Sequence, residues 1–266
     1  MKLNIFTFGT NKNKMKFLKK SQEMFGGKVN YIIKKKWKGY YTKITEISNI
    51  INSLNDKDLI LFIDAYDVII NSSELEKEVL EKFKSYDCDI LLGSELNCFP
   101  KYLKSDMDKI HSEKNNNVNN NVNNNTKYIN SGGYVGYVKD IKKIFTWKSY
   151  KDIITICEKG GDQTYFMKYY IENYNKVNIK LDTKSLIFQN MWLISWKEVG
   201  FKGGRLYNNV LNSYPCFLHF NGPLKAKKII PIFLKKISMS MTDPQIIYDL
   251  NEYEQRHKPI PQINDY

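Results

Sequence analysis

Short apolar runs alternate with amphipathic segments over the first hundred residues, and this alternation restricts the possible folds more than any other feature. Four runs have the length and composition of β-strands, namely Leu3–Phe8, Val29–Ile33, Leu59–Ile63 and Ile90–Leu92. Three helical segments lie between them, namely Lys14–Phe25, Thr42–Leu54 and Ser73–Phe83. This order predicts an α/β fold with a mainly parallel, Rossmann-like sheet, flanked by helices and joined by right-handed crossovers.

The second half of the chain continues with the same kinds of element. Tyr128–Tyr137 is predicted to be a strand pair interrupted by small residues, where a backbone or ligand approaches closely. A helix is predicted from about Gly161 to Tyr174, and strands are predicted near Val177–Leu181 and Phe217–Phe220. Residues 226–266 are predicted to form a C-terminal helix and a tail. Because no break in composition demands a second domain, we expect residues 1–266 to form one domain.

The segment 111–127 differs from the rest, because nine of the eleven residues from Asn115 to Asn125 are asparagine. A tract of this composition has no means of packing a core. We therefore expect a mobile insertion without a catalytic role.

The chain carries 41 basic and 28 acidic residues, which gives a formal net charge of +13. Such a charge attracts phosphates, nucleic acid or anionic surfaces without identifying which of them is bound. A basic nucleic-acid-binding module is one candidate, given this charge and the 19 tyrosines. However, only Arg205 and Arg256 are arginines, and lysine lacks the planar fork that reads guanine edges. We therefore expect no specific nucleic-acid partner, and a biased genome accounts for the lysine content equally well.

Several common protein classes are excluded by what the sequence lacks. No apolar run approaches the roughly 18 residues of a membrane span, and the N-terminal run is too short for a signal peptide. We expect a soluble, intracellular protein, with a host secretory compartment still open. The scattered Cys88, Cys98, Cys157 and Cys216 are expected to be reduced, mostly buried thiols. The usual motifs of dehydrogenases, P-loop NTPases, zinc proteases and serine hydrolases are missing.

Two carboxylates directly follow the apolar run Leu59–Ile63. Asp64 and Asp67 are three residues apart, so one turn brings both toward the same point. Ligands of parallel sheets bind beyond the carboxyl ends of the strands, and carboxylate oxygens suit Mg²⁺ or Mn²⁺. Tyr66, between them, offers an aromatic face on which a base could stack. The alternative is structural, with Asp67 capping a turn and Asp64 facing solvent.

His219 lies directly after another apolar run and before a Gly-Pro turn. A lone histidine is more often a core residue with satisfied hydrogen bonds. The other two histidines, His111 and His257, fall in polar segments. If carboxylates and one imidazole bind a metal here, His219 is the natural third ligand, and that mixture favours Mn²⁺ over Mg²⁺.

Three further clusters are weaker signals. Ser94-Glu95 follows a strand, Asn130–Gly133 permits close backbone approach, and Gly160–Gln163 places Asp162 near a helix N-terminus. Each cluster is also explained by ordinary turn or cap chemistry.

Taken together, seven segments resemble the glycosyltransferase domain of the multifunctional procollagen lysyl hydroxylases, in family order over about residues 3–225. The matching segments are Trp37-Lys-Gly39 with Lys43, Leu61-Phe-Ile-Asp64-Ala-Tyr66-Asp67-Val68, Ser94-Glu95 with Cys98-Phe-Pro100, Ile129-Asn130-Ser-Gly-Gly133, Gly161-Asp162-Gln163-Thr164, Leu181-Asp182 with Ile187-Phe-Gln-Asn190, and His219-Phe-Asn221-Gly-Pro223. One such motif is a weak signal, whereas seven in order are specific.

The resemblance implies a GT-A fold that binds a UDP-sugar and Mn²⁺ and adds glucose to galactosyl-hydroxylysine in collagen-like protein. Residues 1–100 would be the nucleotide-binding half, and residues 128–225 would bind the acceptor and complete the metal site. The residues that match family positions are Asp64, Asp67 and His219 for the metal, Phe8, Thr10, Trp37 and Tyr66 for uridine, Lys43, Asn221, Gly222 and Lys225 for the diphosphate or ribose, and Glu95, Asn130, Asp162 and Gln163 for the sugar and acceptor.

The glucose step of the family retains the anomeric configuration, yet no residue here is an obvious covalent nucleophile. We therefore expect same-face attack by the acceptor hydroxyl through an oxocarbenium-like state. Asp162 would position the acceptor or stabilise that state.

Two departures from the family pattern concern the acceptor side. The acidic run before the Asp-Gln pair of the animal relatives is here Glu158-Lys-Gly-Gly, and the Trp of their Cys-Trp-Pro is Phe99. A hydroxylysine galactosyltransferase, or a transferase that uses UDP-N-acetylglucosamine on another acceptor, therefore stays open. No His-x-Asp pair of an iron-dependent hydroxylase is present, so we expect a stand-alone transferase. For the oligomeric state we expect a homodimer, because symmetric dimers are the commonest assemblies of soluble proteins.

Overall fold

The structure, a computed structural model, describes residues 1–115, 126–223, 228–242 and 248–249. Its strands are β1 (Leu3–Gly9), β2 (Val29–Ile33), β3 (Leu59–Asp64), β4 (Val68–Ile70), β5 (Ile90–Glu95), β6 (Tyr128–Tyr137), β7 (Ile179–Leu181), β8 (Phe188–Asn190), β9 (Val199–Lys202), β10 (Arg205–Asn208), β11 (Phe217–His219) and β12 (Tyr248–Asp249). Its helices are α1 (Lys16–Phe25), α2 (Tyr41–Ile51), α3 (Leu75–Ser85), α4 (Lys104–Asn115), α5 (Val138–Phe145), α6 (Tyr150–Glu158), α7 (Gly161–Asn173) and α8 (Ile230–Thr242). The elements predicted over the first hundred residues are present, with their ends shifted by three residues at most.

A six-stranded sheet forms the centre of the fold, in the order β2-β1-β3-β6-β5-β7. β1 pairs in parallel with β2 and β3, and β5 pairs in parallel with β7. β6 runs antiparallel between β3 and β5. Residues Leu59–Ile63 of β3 are all buried, as expected for an apolar strand covered on both faces. The predicted α/β fold with a mainly parallel sheet flanked by helices is confirmed.

The prediction of a strand pair at Tyr128–Tyr137 is wrong, because these residues form the single strand β6. The small residues make room for side chains of other elements. A Cβ at Gly133, for example, would lie 2.6 Å from the ring of Phe188. The irregularity lies in the pairing of β5 with β6, which shifts register between Leu92 and Gly93. The glycines therefore mark close approach to one continuous strand.

Successive residues of the central strands point to two separate cores, one on each face of the sheet. Ile5, Leu61 and Ile63 belong to the core that α1, α3 and α8 cover. Ile60 and Phe62 belong to the core that α2, α5 and α7 cover. Helices thus bury both faces of the sheet, and the strand ends at one edge are left to form a site.

Two three-stranded sheets, in the orders β4-β11-β8 and β10-β9-β12, pack beside the central one. In the first of these sheets, β11 pairs with β4, and this pairing places His219 opposite Val68. Asp182 fixes the start of β8, because its buried carboxylate accepts the backbone N–H groups of Ile187 and Phe188. Of these strands, β11 was predicted near Phe217–Phe220. The others escaped prediction, because two to four residues carry no resolvable hydrophobic period.

Some predictions fall partly or wholly outside the described residues. The predicted insertion begins later than expected, because residues 111–115 belong to α4, and residues 116–125 are not described. The predicted C-terminal helix is present as α8, and the tail beyond Asp249 is not described. All four cysteines are free and buried. Within the described ranges, no helix combines the length and the apolar character that crossing a membrane requires.

Candidate active site

The carboxyl ends of β3 and β5 open into a cavity of about 390 Å³. Because β6 is antiparallel to both strands, its first residues lie at the same edge of the sheet. Nine of the residues predicted to bind metal, donor or acceptor line the cavity: Asp64, Asp67, Glu95, Asn130, Asp162, Gln163, His219, Asn221 and Gly222. Segments distant in sequence therefore meet where the strand ends predict a ligand.

Asp64, Asp67 and His219 form the most compact cluster of metal-ligating side chains. One ligand atom from each lies within 4.8 Å of the others. The Nε2 atom of His219 is 3.7 Å from Asp64 Oδ2 and 3.6 Å from Asp67 Oδ1. The pairing of β11 with β4 produces this arrangement, because it brings His219 next to the turn that carries Asp67.

The ring of His219 is held in one orientation by Asn190. The Asn190 side-chain nitrogen donates to the carbonyl oxygen of Ser94 at 2.7 Å, so its oxygen faces His219 Nδ1 at 2.8 Å. Nδ1 therefore carries a hydrogen, and Nε2 faces the two carboxylates. Burial lowers the pKa of His219, but the charges of Asp67 and Asp64 outweigh burial and raise it. Two carboxylates and an oriented imidazole fit a divalent cation.

Gly132 lies against this cluster, and its lack of a side chain provides space for His219 and Asp64. A Cβ at this position would lie 2.2 Å from Cε1 of His219 and 2.8 Å from Oδ2 of Asp64. No larger residue fits without moving the histidine or the aspartate. The glycines of β6, expected to permit close approach, thus serve the cluster directly.

Lys43 holds two carboxylates from beneath the cavity. Its buried Nζ lies 2.7 Å from Asp64 Oδ1 and 2.7 Å from Asp162 Oδ2, and it donates to the carbonyl oxygen of Ser131 at 3.3 Å. Burial lowers the pKa of Lys43, but Asp162 and Asp64 outweigh it, and the pKa is raised. Lys43 therefore stays charged and links a candidate metal ligand to Asp162.

The sequence predicted that Glu95 follows a strand, whereas in the structure Glu95 is the last residue of β5. Its carboxylate oxygens accept hydrogen bonds from Gln163 Nε2 at 2.8 Å and Asn221 Nδ2 at 2.7 Å. Burial raises the pKa of Glu95 to about 7, although hydrogen bonds from Gln163, Asn130 and Asn221 favour the charged form. Glu95 can therefore gain or lose a proton near neutral pH.

The helix α7 begins at the cavity wall. Gly161 has a φ of +78°, a conformation that favours glycine, and Asp162 and Gln163 follow in the first turn. Gln163 also donates to the carbonyl oxygen of Phe99 at 2.7 Å. The helix start therefore holds both side chains, and its free N–H groups favour the negative charge of Asp162.

The four residues predicted to enclose uridine lie around the end of β1 and do not line the cavity. The ring centroids of Phe8 and Trp37 are 6.2 Å apart, and those of Trp37 and Tyr40 are 5.6 Å apart. The hydroxyl oxygen of Tyr66 accepts a hydrogen bond from the backbone N–H of Thr10 at 2.6 Å. Tyr40 connects these four residues to the cavity, because it contacts Trp37 and also lines the cavity. Lys225 lies outside the described residues.

Asn190, Tyr40 and Trp192 contribute to the site but were given no role from the sequence. Asn190 ends the three-residue strand β8, which the sequence did not predict, so no predicted strand end pointed to it. Tyr40 and Trp192 lie in loops that line the cavity, and no sequence pattern marks them.

Comparison with known proteins identifies the family of the chain. A family model described as the PLOD GT domain matches residues 1–230. An uncharacterized protein of Acanthamoeba polyphaga mimivirus is 32% identical over 191 residues, which cover 71% of this chain and 36% of the viral protein. The multifunctional procollagen lysine hydroxylase and glycosyltransferase of Caenorhabditis elegans is 30% identical over 210 residues, which cover 72% of this chain and 26% of that protein. The chain thus spans about a third and a quarter of the length of these relatives.

Among solved structures, mouse xyloside xylosyltransferase 1 in its apo form is similar, with a TM-score of 0.47 and 10% sequence identity. The match covers 85% of this chain and 99% of that structure. The family model covers most of the chain, including every described residue of the candidate site. The chain therefore belongs to the PLOD GT domain family of glycosyltransferases.

Proposed function

We propose that this protein is a Mn²⁺-dependent, retaining glycosyltransferase that moves glucose from UDP-glucose to galactosyl-hydroxylysine in a collagen-like polypeptide. The observation that carries the proposal is the cluster of Asp64, Asp67 and His219 at the edge of a polar cavity, in a chain of this family. The donor sugar, the metal and the acceptor are parts of the proposal.

The three clustered side chains would hold the metal, with the Nε2 atom of His219 facing it. A divalent cation bound there would neutralise charge on a departing diphosphate, which lowers the barrier without proton transfer. Gly222, Asn221 and Lys225 would lie near the diphosphate or ribose.

The uridine would lie at the end of β1, between Phe8, Thr10, Trp37 and Tyr66. The contact of Trp37 with Tyr40 supports this placement, because it joins the aromatic residues to the cavity. Aromatic faces suit a pyrimidine ring.

Asp162 and Glu95 would face the sugar and the acceptor, with Asn130 and Gln163. The ion pair between Asp162 and Lys43 holds the aspartate in place, so that it can position the acceptor hydroxyl for same-face attack or stabilise positive charge on the sugar. Lys43 was predicted to contact the diphosphate. Its buried contacts with both aspartates support a positioning role in addition.

The test is the release of UDP from UDP-glucose, UDP-galactose and UDP-N-acetylglucosamine. Each donor is supplied with Mn²⁺ or EDTA, and with or without a galactosyl-hydroxylysine collagen peptide. We expect Mn²⁺-dependent turnover of UDP-glucose that the peptide stimulates and that Asp64→Ala abolishes. Glu81→Ala, which removes an exposed carboxylate on α3, is the matched control and should retain turnover.

Turnover of another donor would keep the metal site and overturn the choice of glucose. Turnover that persists in EDTA, or in Asp64→Ala, would overturn the metal-dependent mechanism.

A further inference from the structure

The candidate metal ligands belong to two different sheets. Asp64 ends β3 of the central sheet, whereas His219 ends β11, the middle strand of the sheet β4-β11-β8. On one side of β11, the short turn that carries Asp67 joins β4 to β3. On the other side, β8 is joined to β7 of the central sheet by the longer link of residues 182–187. Contacts within this link must therefore fix the position of β8.

Asp182 is the first residue of the link, and its side chain is completely buried. Its carboxylate accepts the backbone N–H groups of three residues where the link enters β8, namely Leu186 at 2.9 Å, Ile187 at 2.9 Å and Phe188 at 2.6 Å. It also accepts a hydrogen bond from the hydroxyl of Tyr86. A single side chain thus closes the link and holds the start of β8.

The backbone of Asp182 is bound to β5 of the central sheet. Its N–H group donates to the carbonyl oxygen of Leu92 at 2.8 Å, and its carbonyl oxygen accepts the hydroxyl of Ser94 at 2.9 Å. Both partners belong to β5. Asp182 therefore joins the two sheets, with its backbone on β5 and its carboxylate on β8.

Asn190 crosses the same junction at the other end of β8. Its Nδ2 donates to the carbonyl oxygen of Ser94 at 2.7 Å, and its Oδ1 faces His219 Nδ1 at 2.8 Å. Ser94 is thus bonded to both residues, because its hydroxyl donates to Asp182 while its carbonyl oxygen accepts from Asn190. A shift of β8 at Asp182 would move Asn190 and, with it, the ring of His219.

We infer that Asp182 is a positioning residue for the metal centre, because it fixes β8 against β5 so that Asn190 holds His219 at the correct distance from Asp64. Asp182 does not line the cavity, so it acts through β8 and Asn190. Outer partners of metal ligands contribute to metal affinity, and Asp182 extends that contribution by one further step. This inference rests on the metal centre of the proposed function and adds to it the residue that sets the separation of the ligands.

Nitrogen-15 NMR of the histidine rings tests the inference in the metal-free protein. The chain has three histidines, so the ring signals of His219 are identified by their loss in His219→Ala. At a pH at which the ring is neutral, we expect the wild type to show one tautomer, with the hydrogen on Nδ1. In Asp182→Ala, three backbone N–H groups lose their acceptor, and the signals should become those of a mixture of tautomers. Unchanged signals would overturn the inference.

Calorimetric titration with Mn²⁺ is the second readout. We expect Asp182→Ala to lower the affinity by about tenfold. Ser94→Ala removes only the hydroxyl that donates to the carbonyl oxygen of Asp182, and it should lower the affinity by about threefold. This milder variant tests the same junction if Asp182→Ala does not fold, and wild-type affinity together with wild-type His219 signals in Ser94→Ala would then overturn the inference.

Asp140→Ala is the matched control. Asp140 is also a buried carboxylate, but it lies on α5 and does not line the cavity. Its substitution should leave the His219 signals and the Mn²⁺ affinity as in the wild type. Equal losses of affinity in Asp140→Ala and Asp182→Ala would overturn the inference, because a general loss of stability would then explain both.

The two readouts separate this inference from the proposed function. If the wild type binds no Mn²⁺ but the tautomer of His219 depends on Asp182, the proposed metal centre fails and the positioning of His219 stands. If the wild type binds Mn²⁺ and Asp182→Ala matches it both in affinity and in the His219 signals, the metal centre stands and the role of Asp182 is disproved.

Discussion

The two sides of the cavity differ in how firmly their side chains are held. On the metal side, His219 is buried and hydrogen-bonded to Asn190, and Asp64 is paired with the buried Lys43. At the mouth, Tyr40 and Phe99 expose more than half of their surface. Under the proposed function, the groups that would meet a charged leaving group are oriented before any ligand arrives, whereas the aromatic groups at the mouth are left accessible.

The difference follows from the elements that carry each side. The metal side joins residues from β3, β6, β8 and β11, whose hydrogen-bonded pairing fixes their backbones. Tyr40 and Phe99 lie just before a helix and in a loop, respectively. Groups on paired strands are positioned more closely than groups on loops.

The largest effect should come from filling the space beneath His219. In Gly132→Ala, the new methyl would lie 2.2 Å from His219 Cε1, so the ring must move. Overpacking of this kind costs up to about 3 kcal/mol of folding stability. Because the displaced ring must return toward the methyl group to bind the metal, we expect Mn²⁺ affinity to fall by on the order of 100-fold. Calorimetric titration with Mn²⁺ should show this loss of binding.

Gly203→Ala is the control for that experiment. Gly203 has a positive φ, and no atom lies within 4 Å of the position of its Cβ. The control therefore carries backbone strain without filling the site, and its Mn²⁺ affinity should match that of the wild type. Equal affinities for Gly132→Ala and the wild type would show that the metal side is less rigid than the comparison states.

A smaller effect is expected when the partner of His219 is removed. In Asn190→Ala, Nδ1 of His219 loses its acceptor at 2.8 Å, and the ring is free to turn. Loss of such an outer partner typically lowers metal affinity by about 10- to 100-fold. The same titration measures it, with Asn173→Ala on α7 as an amide control outside the cavity. If Asn190→Ala retains the wild-type Mn²⁺ affinity, Asn190 does not orient His219 for metal binding.

The last prediction concerns stability rather than metal binding, and it is made for Glu95, which lies between the two sides. Its pKa of about 7 exceeds the ordinary 4.5, so the folded state holds a proton that the unfolded state has released between these values. The free energy of unfolding should therefore fall as the pH rises from about 4.5 to 7, by up to about 3 kcal/mol from this group. In Glu95→Gln this contribution to the slope should vanish.

Urea unfolding of the metal-free protein at several pH values measures that slope. Only the difference in slope between the wild type and Glu95→Gln is diagnostic, because the substitution also changes two hydrogen bonds. Parallel slopes would contradict the raised pKa.

The sequence predicted the central fold and two of the clustered ligands from the order of apolar runs, because Asp64 ends a strand of the central sheet, where ligands bind. His219 ends β11 of a separate sheet, and the pairing of β11 with β4, which no local pattern shows, brings it beside Asp67. The single strand β6 was mistaken for a pair, because glycines placed for close approach look like a turn in the sequence. The residues that orient the ligands, Lys43 toward Asp162 and Asn190 toward His219, depend on contacts between distant segments that no local pattern encodes.

Electron paramagnetic resonance of Mn²⁺ with the wild type and with His219→Ala, each with and without UDP, tests the metal centre directly. We expect the wild type to remove the signal of free Mn²⁺, UDP to tighten this binding, and His219→Ala to weaken it strongly in both conditions. Equal binding of Mn²⁺ by the two proteins, with no effect of UDP, would contradict a metal centre at Asp64, Asp67 and His219.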